Sequence, residues 1–529
     1  MMEDLNLRQG PICGEGIASV GSGVGRRLGW LRLGSLWGTS MALMAGSAAV
    51  SIAPRGSVPR TVGVRGAGRR VGRGVARRAP VRCLVASRGG RAAGGGAADA
   101  DVVVVGAGVA GLAAARRVEE MGKQVIVLER GDGVGGRVRT DEVDGFLLDR
   151  GFHIFLTGYP EARRALDFKA LRLQPFYPGA LVRYAGGFHR VADPFRRPFD
   201  AVATLSPSHP IGSIVDKLLV AFLRFQTFAT GWAGLLERDE VTTEARLRAF
   251  GFSEAMVDRF FRPFLGGIFF DRDLRVSSRL LDFVFRVLAV GENCLPEAGI
   301  GAVSEQLAEG LDVRLGTDVT QVDGKQVVCS GRGGRRTVTA RDGVIVAVEG
   351  PQARALLGAD AYGGEAKVVN GTACLYFASN ALPEGLEEPV LYLDGNGNTR
   401  ALNNCCFPST VSPMYAPPGK HLLSCSVVGA ANLAKYSTDR DLEAAVRDDL
   451  TEFFGGAFVG GLRLLKVYRI PFAQPSQEPP TMLAQDPVGA GLPPHVAVAG
   501  DHRATATLEG AIMSGRKAAD AILALAQGA

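Results

Sequence analysis

The most informative stretch of this 529-residue chain runs from Val102 to Thr140 and reads VVVVGAGVAGLAAARRVEEMGKQVIVLERGDGVGGRVRT. It opens with the uninterrupted β-branched run Val102–Val105, which is typical of a strand buried on both faces of a parallel sheet. A glycine-rich turn follows, then a helical pattern from Leu112 to Met121 and a second apolar run, Gln124–Leu128. Together these features, within about 30 residues, predict a complete βαβ unit.

The glycines of the turn have the spacing of a dinucleotide-binding site. Gly106 allows a tight turn, Gly108 lets the backbone approach a pyrophosphate, and Gly111 lets helix and strand pack closely. We expect the helix N-terminus, with Ala110 in its first turn, to face the phosphates. Glu129 stands at the end of the second strand, where its carboxylate can accept both ribose hydroxyls of an adenosine. An acid at this position disfavours a 2′-phosphate.

A second glycine segment narrows the dinucleotide to FAD. Arg130 follows Glu129, and the adjacent pair Gly135 and Gly136 stands just past the second strand, where it lets the main chain pass close to the pyrophosphate. Arg137 adds a forked cation that we expect near the flavin. The chain has no second glycine motif in strand–helix context, as an enzyme fed by NAD(P)H needs. We therefore expect the substrate to reduce the flavin, and quinone or oxygen to reoxidise it.

Four separated motifs, in their order along the chain, resemble those of the flavin amine oxidase and phytoene (carotenoid) desaturase superfamily. They are Glu129–Thr140, Pro296–Gly301, Gly316–Val319, and Ala499–Asp501 with Glu509–Arg516. The resemblance implies that Val319 contacts adenine through its backbone, and that Asp501, preceded by Gly500, binds ribityl or pyrophosphate oxygens. It also implies that the helix beginning near Leu508 points its N-terminal amides at the pyrimidine edge of the flavin.

The same resemblance implies an α/β fold, in which a Rossmann-type FAD-binding domain, built on the GxGxxG βαβ unit, is interleaved with an α+β substrate or cap domain. We expect the FAD-binding domain in three parts, residues 99–165, 296–350 and 491–529. The intervening residues 166–295 would form a helical substrate or cap region, and residues 351–490 a β-rich one. The composition, 47% hydrophobic and 21% charged, suits a chain with a large core.

The formal charge of +7 is unevenly distributed. Residues 1–98 hold fifteen Arg, no Lys and three acids, a charge of +12, which leaves −5 on residues 99–529. The body therefore has no basic footprint for nucleic acid. The Arg-, Ala- and Gly-rich segment 1–98 predicts a disordered transit peptide and linker, which favours the chloroplast, with the mitochondrion as the alternative.

The cysteines do not form a metal-binding pattern. Two of the eight lie in residues 1–98 and six in the body, none forms a CxxC pair, and the adjacent Cys405 and Cys406 have no His at ligand spacing. We expect reduced structural thiols and no metal site.

Two segments bear on the substrate. Arg259–Gly267 and Asp271–Asp273 resemble the carotenoid-desaturase-like branch of the superfamily, which implies hydride transfer from a small, apolar, isoprenoid-like substrate to flavin N5. Amine oxidases place a lysine on a cap strand. The corresponding strand, Gly371–Phe377, has none, although Lys367 lies just before it. Two alternatives stay open: an amine oxidase that produces hydrogen peroxide, and a redox-neutral isomerase or assembly factor with structural FAD.

His153 is the candidate catalytic residue. The resemblance places the segment Asp149–His153 beside the isoalloxazine ring, where an imidazole can orient substrate or move a proton as hydride leaves. A hydrogen-bonded structural histidine is the alternative.

The helical region 200–244 carries a stripe of apolar residues at Ile214, Leu218, Phe222, Phe225 and Phe228. Its spacing predicts a helix that packs into the core. The wider stretch Leu218–Leu236 is also consistent with a lipid tunnel or with peripheral membrane contact. A further helix is predicted to begin after the N-cap Ser253 and to run into Pro263.

Overall fold

The computed structural model describes residues 98–528, apart from 332, 359–368, 398–399, 482–484 and 490. The predicted transit peptide, up to residue 97, and Lys367 lie outside the described residues. The strands are β1 (Ala100–Val105), β2 (Val125–Leu128), β3 (Thr140–Val143), β4 (Phe146–Asp149), β5 (Phe155–Leu156), β6 (Gln174–Pro175), β7 (Gly179–Tyr184), β8 (Gly187–Ala192), β9 (Asn293–Leu295), β10 (Asp312–Arg314), β11 (Asp318–Asp323), β12 (Gln326–Gly331), β13 (Gly334–Val346), β14 (Val369–Ser379), β15 (Leu391–Asp394), β16 (Asn404–Cys406), β17 (His421–Val428), β18 (Arg463–Pro475) and β19 (Val496–Val498).

The α-helices of the described residues are α1 (Val109–Glu120), α2 (Pro160–Ala165), α3 (Phe168–Leu171), α4 (Pro198–Thr204), α5 (Ile214–Ala229), α6 (Trp232–Leu236), α7 (Thr243–Phe250), α8 (Glu254–Met256), α9 (Arg262–Phe269), α10 (Ser278–Val290), α11 (Gly301–Ala308), α12 (Gly350–Leu357), α13 (Pro408–Val411), α14 (Ala430–Leu433), α15 (Asp439–Phe454), α16 (Gly456–Gly460) and α17 (Leu508–Gln527). A π-helical segment, Val257–Phe261, joins α8 to α9, and short 3₁₀ turns occupy Pro413–Tyr415 and Asp501–Arg503.

The first large sheet has the order β10-β2-β1-β13-β12-β11, with β19 also paired to β13. Its centre is parallel, because β1 pairs in parallel with both β2 and β13. Successive residues of β1 point to opposite faces of the sheet. Val102 and Val104 pack into the core cluster that contains α1, whereas Val103 and Val105 pack into the cluster on the other face. The predicted doubly buried strand and the α/β class are confirmed.

Glycines set the distance between α1 and its neighbours. A Cβ added at Gly111 would overlap the carbonyl oxygen of Gly106, and one added at Gly515 of α17 would overlap the carbonyl oxygen of Ala110. Main chain therefore meets main chain at both places. The first turn of α1 is held directly between the β1 turn and α17.

The second large sheet has the order β18-β14-β17-β16-β15-β7-β8. Its pairs are antiparallel except β15 with β7, which is parallel. One face packs against the core cluster that contains Leu442, Val446 and Leu450 of α15, and the other face packs around Tyr376 and Tyr415. Two small sheets, β3-β4 and β5-β9-β6, complete the described strands.

The helix that begins after Ser253 does not end at Pro263. Ser253 caps it as predicted, since its Oγ accepts from the amide of Met256 at 3.2 Å. Beyond α8 the chain widens into the π-helical segment and continues through Pro263 into α9. Proline lacks an N–H and so interrupts the regular hydrogen bonds of an α-helix, and here a single π-helical turn directly precedes α9. Asn403 donates from Nδ2 to the carbonyl of Pro263 at 2.9 Å, so that carbonyl has a side-chain partner.

The prediction that the apolar stripe of α5 packs into the core is wrong. Ile214, Leu218, Phe222, Phe225 and Phe228 are all exposed, at 40–62% of their full areas. The helix has the predicted periodicity, but it turns the stripe outward. Periodicity specifies a face, and it does not specify what covers that face.

We predict that Gly111→Ala destabilises the apo-protein much more than Gly108→Ala. The added methyl at Gly111 meets main chain, and such overpacking costs about 1–3 kcal/mol or more. At Gly108, where φ is −70°, an added Cβ has no atom within 4 Å, so we expect a loss within about 1 kcal/mol, the usual range for an N-cap change. Urea unfolding of both variants measures the difference. Equal losses in the free energy of unfolding would show that the backbone segments do not approach each other closely at Gly111.

Candidate functional site

A cavity of about 450 Å³ lies where the carboxyl ends of the parallel strands meet the second sheet. This is the edge at which open α/β sheets bind ligands. Its walls come from the first turn of α1, the residues that follow β1, β2 and β13, the end of α9, strands β15 and β18, and the N-terminus of α17. The volume is typical of a small-molecule or cofactor site.

All the predicted site residues except Gly111 line this cavity. They are Gly106, Gly108, Ala110, Glu129, Arg130, Gly135, Gly136, Arg137, His153, Val319, Gly500, Asp501 and Leu508. Gly111 instead packs against Gly106 and Ala347, in the helix–strand role that its place in the motif predicts.

The turn at Gly108 forms an open cradle. Gly108 is the N-cap of α1 and supplies no side-chain hydrogen bond, and an added Cβ there meets no atom within 4 Å. Gly136 approaches it, since a Cβ on Gly136 would lie 3.5 Å from the Cα of Gly108. Two bare backbones beside a helix N-terminus leave room and positive potential for an anion.

The carboxylate of Glu129 is fixed by main chain. Its Oε2 accepts from the amide of Ala107 at 2.8 Å, and its Oε1 accepts from the amide of Gly131 at 2.7 Å. The Glu129 carbonyl accepts from the amide of Thr317 at 2.9 Å, which brings the segment that leads to Val319 beside it. Each carboxylate oxygen can accept a further hydrogen bond.

Arg137 and Asp501 form a bidentate ion pair inside the cavity wall. The Nη1–Oδ2 and Nη2–Oδ1 distances are both 2.8 Å, and Nη1 also donates to the carbonyl of Ala473 at 2.8 Å. Burial alone would lower the pKa of Arg137, but the charge of Asp501 raises it above its ordinary value. Burial likewise would raise the pKa of Asp501, but Arg137 holds it below its ordinary value. Both groups are therefore charged at neutral pH.

His153 faces the cavity as a neutral imidazole. Burial lowers its pKa below the ordinary value, against the opposing charge of Asp149. Its Nε2 lies 3.3 Å from the carbonyl oxygen of Arg150. The segment is rigidly held, because Asp149 accepts from Thr140 Oγ1 at 2.6 Å and from Tyr415 Oη at 2.8 Å.

Several lining residues were not found from the sequence. Glu349 lies just beyond β13, and burial raises its pKa. Its position follows from the parallel-strand rule, since the apolar run Gly343–Val348 ends at the same sheet edge as β1. Asn404 of β16 and Gln474 of β18 also line the cavity. Strand pairing between distant segments of the chain brings these two residues to the cavity, and no sequence motif around either residue predicts this position.

Outside the glycine segments the cavity has an extensive apolar wall, although Asn293, Asn404 and Gln474 also line the cavity there. The apolar wall is formed by Phe152, Ile154, Leu156, Pro263, Phe264, Ile268, Phe269, Phe270, Leu288, Leu391 and Leu393. Among the described lining residues, the carboxylates Glu129, Asp318, Glu349 and Asp501 all lie within or beside the predicted nucleotide-binding segments, and no lysine is present.

Comparison with known proteins identifies the family. Residues 109–523 match the family described as flavin containing amine oxidoreductase. This match spans most of the chain, so the chain belongs to that family of oxidoreductases, and its cofactor is FAD. The resemblance seen in the motifs is confirmed.

Individual relatives are distant. The chain is 24% identical over 469 residues to 15-cis-phytoene desaturase of Synechococcus elongatus, covering 80% of this chain and 96% of the relative. Protoporphyrinogen oxidase 2, chloroplastic/mitochondrial, of Arabidopsis thaliana is 27% identical over 173 residues, which are 31% of this chain and 32% of that one. The wild-type putrescine oxidase structure with bound putrescine superposes with a TM-score of 0.58 at 18% identity, covering 80% and 99% of the two chains.

Coverage differs strongly among the curated relatives. The alignments with protoporphyrinogen oxidase 2, a mouse lysine-specific histone demethylase and a Propionibacterium coproporphyrinogen III oxidase span only 32%, 26% and 15% of those proteins. The names of these relatives indicate different substrates. The comparisons therefore identify the family, but they do not identify the reaction that this chain catalyses.

We predict that Gly108→Leu prevents FAD binding without unfolding the protein. Its side chain would fill the open cradle, whereas the backbone conformation at φ −70° accepts any residue. Gly460→Leu, at an exposed and equally open helix end, is the matched control. The flavin absorbance per chain of the purified variants measures occupancy, and far-UV circular dichroism checks the fold. Full occupancy in Gly108→Leu would show that the cradle does not hold the pyrophosphate.

Proposed function

We propose that the chain oxidises an apolar, isoprenoid-like organic substrate by desaturation. The apolar far wall of the cavity carries this proposal, because a cationic amine placed there would lose its hydration without meeting a carboxylate. FAD, when bound, supplies the acceptor for a hydride at its N5 atom. The substrate loses that hydride from one carbon and a proton from the neighbouring carbon, and a double bond forms between them. Quinone or oxygen would then take the two electrons.

We further propose which residues hold the cofactor. Gly108, Ala110 and Gly136 would leave space for the pyrophosphate, and Glu129 would accept the adenosine ribose hydroxyls. Gly135 would let the main chain pass close to the pyrophosphate together with Gly136, and Gly106, Arg130 and Val319 would complete the adenosine side. Arg137, Gly500, Asp501 and the N-terminus of α17 at Leu508 would meet the flavin end. The support is that all of these residues line one cavity, with the helix N-termini and the carboxylates at its walls.

The domain division is likewise a proposal. All the strands of the first large sheet fall within residues 99–165, 296–350 and 491–529, and all the strands of the second fall within 166–295 and 351–490. This distribution supports an FAD-binding domain built from three segments and a cap built from two.

Anaerobic reduction tests the reaction. We expect a C40 polyene such as phytoene, dispersed in detergent, to bleach the flavin absorbance, and putrescine or benzylamine to leave it unchanged. Bleaching by the amines alone would establish the amine oxidase alternative. If no oxidisable compound bleaches the flavin while dithionite does, the redox-neutral alternative with structural FAD is favoured. Stopped-flow mixing of the reduced protein with quinone or with oxygen then identifies the faster acceptor.

We predict that His153→Gln keeps FAD but slows reduction of the flavin by substrate about a hundredfold, in the usual range for loss of an acid–base group. The neutral imidazole has one acceptor nitrogen for the departing proton. Because burial lowers its pKa, the wild-type rate should be constant at and above pH 7 and should fall as the pH drops through the lowered pKa. The variant should lose this acid limb. A variant that releases FAD, or that keeps the same acid limb, would assign His153 a structural role.

We propose that residues 1–98 direct the protein to the plastid. The Arg-rich, Lys-free composition supports this, as does the chloroplastic/mitochondrial location in the name of the Arabidopsis relative. A fluorescent reporter fused behind residues 1–98 should enter the chloroplast in algal or plant cells, whereas the same reporter without them should stay cytosolic. Mitochondrial, secreted or cytosolic fusion protein would contradict the proposal.

A further inference from the structure

Helix α5 has an outer face without a single polar side chain. Seven of its sixteen residues are exposed, and all seven are apolar: Ile214, Val215, Leu218, Phe222, Phe225, Phe228 and Ala229. Five of them, Val215, Leu218, Phe222, Phe225 and Phe228, have more than half of their surface in contact with solvent. Soluble proteins rarely expose contiguous apolar surface of this kind unless it binds something.

The polar residues of α5 fix its inner face. Asp216 is buried and accepts hydrogen bonds from the amides and hydroxyls of Ser213 and Ser253, at 2.6–2.8 Å. Thr227 is buried on the same side and donates to the carbonyl of Arg224 at 3.0 Å. Rotating the helix to bury its phenylalanines would strip Asp216 of these partners, which would leave a buried carboxylate without hydrogen bonds. These buried hydrogen bonds therefore hold the apolar stripe of α5 facing outward.

The segment before α5 extends the same apolar surface. Phe195, Phe199, Val202 and Leu205, on and around α4, are 42–90% exposed. The guanidinium of Arg224 lies 4.8 Å from the centroid of the Phe195 ring, and Lys217 of α5 donates to the carbonyl of Thr204 in α4. Because these contacts tie the two helices together, we call the exposed apolar side chains of residues 195–229 the α4–α5 face.

Charge around the α4–α5 face is asymmetric. The carboxylates of this region are engaged inward: Asp216 as described, and Asp200 with the hydroxyl of Tyr177 at 2.7 Å. Cations border it instead. Arg197 is exposed beside the Tyr177 ring, and Arg286 lies 6.0 Å from the centroid of the Phe228 ring, where it bonds only to backbone carbonyls among its described hydrogen-bond partners. An apolar stripe bordered by cations complements the acyl chains and anionic headgroups of a lipid surface.

We propose that the α4–α5 face seats the protein on an anionic lipid bilayer, with α5 lying in the plane of the interface. An interface with another protein carries about one hydrogen bond per 100–200 Å², but the exposed face of α5 offers no side-chain donor or acceptor. No helix among the described residues has both the length and the apolar character to cross a membrane. The contact would be in-plane and reversible.

The docked face adjoins the cavity wall. Arg196, next to Phe195, donates from Nη2 to the carbonyl of Leu288 at 3.1 Å, and the side chain of Leu288 lines the cavity. An apolar substrate dissolved in the bilayer would thus have a short path to the site. This consequence rests on the proposed function, but the docking itself does not.

Tryptophan quenching tests the depth of insertion. Phe225→Trp and, as a matched control, Phe472→Trp are made in the full FAD-loaded chain. Phe472 is also an exposed phenylalanine, at 41%, but it lies in β18, at the opposite edge of the second sheet from β8, the strand that leads into the α4–α5 face. Vesicles contain phosphatidylcholine, phosphatidylglycerol and a brominated-chain lipid. Relative to the parent protein, we expect added quenching only for Phe225→Trp. Equal quenching of both tryptophans, or of neither, would overturn the proposal.

Flotation with the same vesicles tests affinity. The triple variant Phe222→Ser/Phe225→Ser/Phe228→Ser should partition at least about a hundredfold less than wild type, since each phenylalanine contributes about 1.5–3 kcal/mol when removed from water. Phe472→Ser should bind like wild type, and an unchanged flavin content shows that the site is intact. Residues 1–98 are common to all proteins, so any binding by that basic segment cancels in the comparison. Unchanged flotation of the triple variant would refute the docking face. A different outcome would assign the face to a second copy of the chain. In that case light scattering would show a dimer for the wild type and a monomer for the triple variant, and the wild type would not bind vesicles.

Discussion

The close crossing of three backbone segments at Gly106, Gly111 and Gly515 is the constraint on which the rest of the structure depends. No side chain separates the β1 turn, the first turn of α1 and the middle of α17, because a single Cβ at Gly111 or Gly515 would overlap a carbonyl oxygen. The N-terminus of α1 therefore sits directly on the carboxyl edge of the parallel strands. The same crossing sets the position of α17, whose own N-terminus reaches the cavity at Leu508. Two helix N-termini converge on one space, and anionic ligands are favoured there.

The Arg137–Asp501 pair connects this nucleotide side to the second sheet. Arg137 follows the second glycine segment, Asp501 follows β19, and the carbonyl of Ala473 belongs to β18. One guanidinium thus joins three parts of the chain that are far apart in sequence. The lining of the cavity combines carboxylates, cations and bare backbone with aromatic and aliphatic side chains. This combination suits a cofactor that carries phosphates and the apolar substrate that we propose.

The sequence predicted the parts of the fold that are encoded locally. The βαβ unit from Val102 to Leu128 follows from residues adjacent in the chain, and Gly106, Gly108 and Gly111 have the surroundings that their spacing implies. What failed depends on distant partners. The stripe of α5 has a helical period, but its outward orientation is set by Asp216 bonding to Ser253, a contact that periodicity does not encode. Pro263 marks an irregularity in its helix, and only the structure shows that the chain passes through a π-helical turn there and continues as a helix. Asn404 and Gln474 reach the cavity through sheet pairing and gave no signal.

We propose that the Gly108 cradle and the Arg137–Asp501 pair together hold one FAD in this cavity. A crystal structure of the protein purified with its flavin tests this most directly. We expect the pyrophosphate against the backbone of Gly108 and Gly136, the Arg137–Asp501 pair intact beside the flavin end, and the ring facing the apolar wall at Phe269 and Leu391. A pyrophosphate bound away from the first turn of α1, or a ring turned toward Glu129, would contradict this proposal.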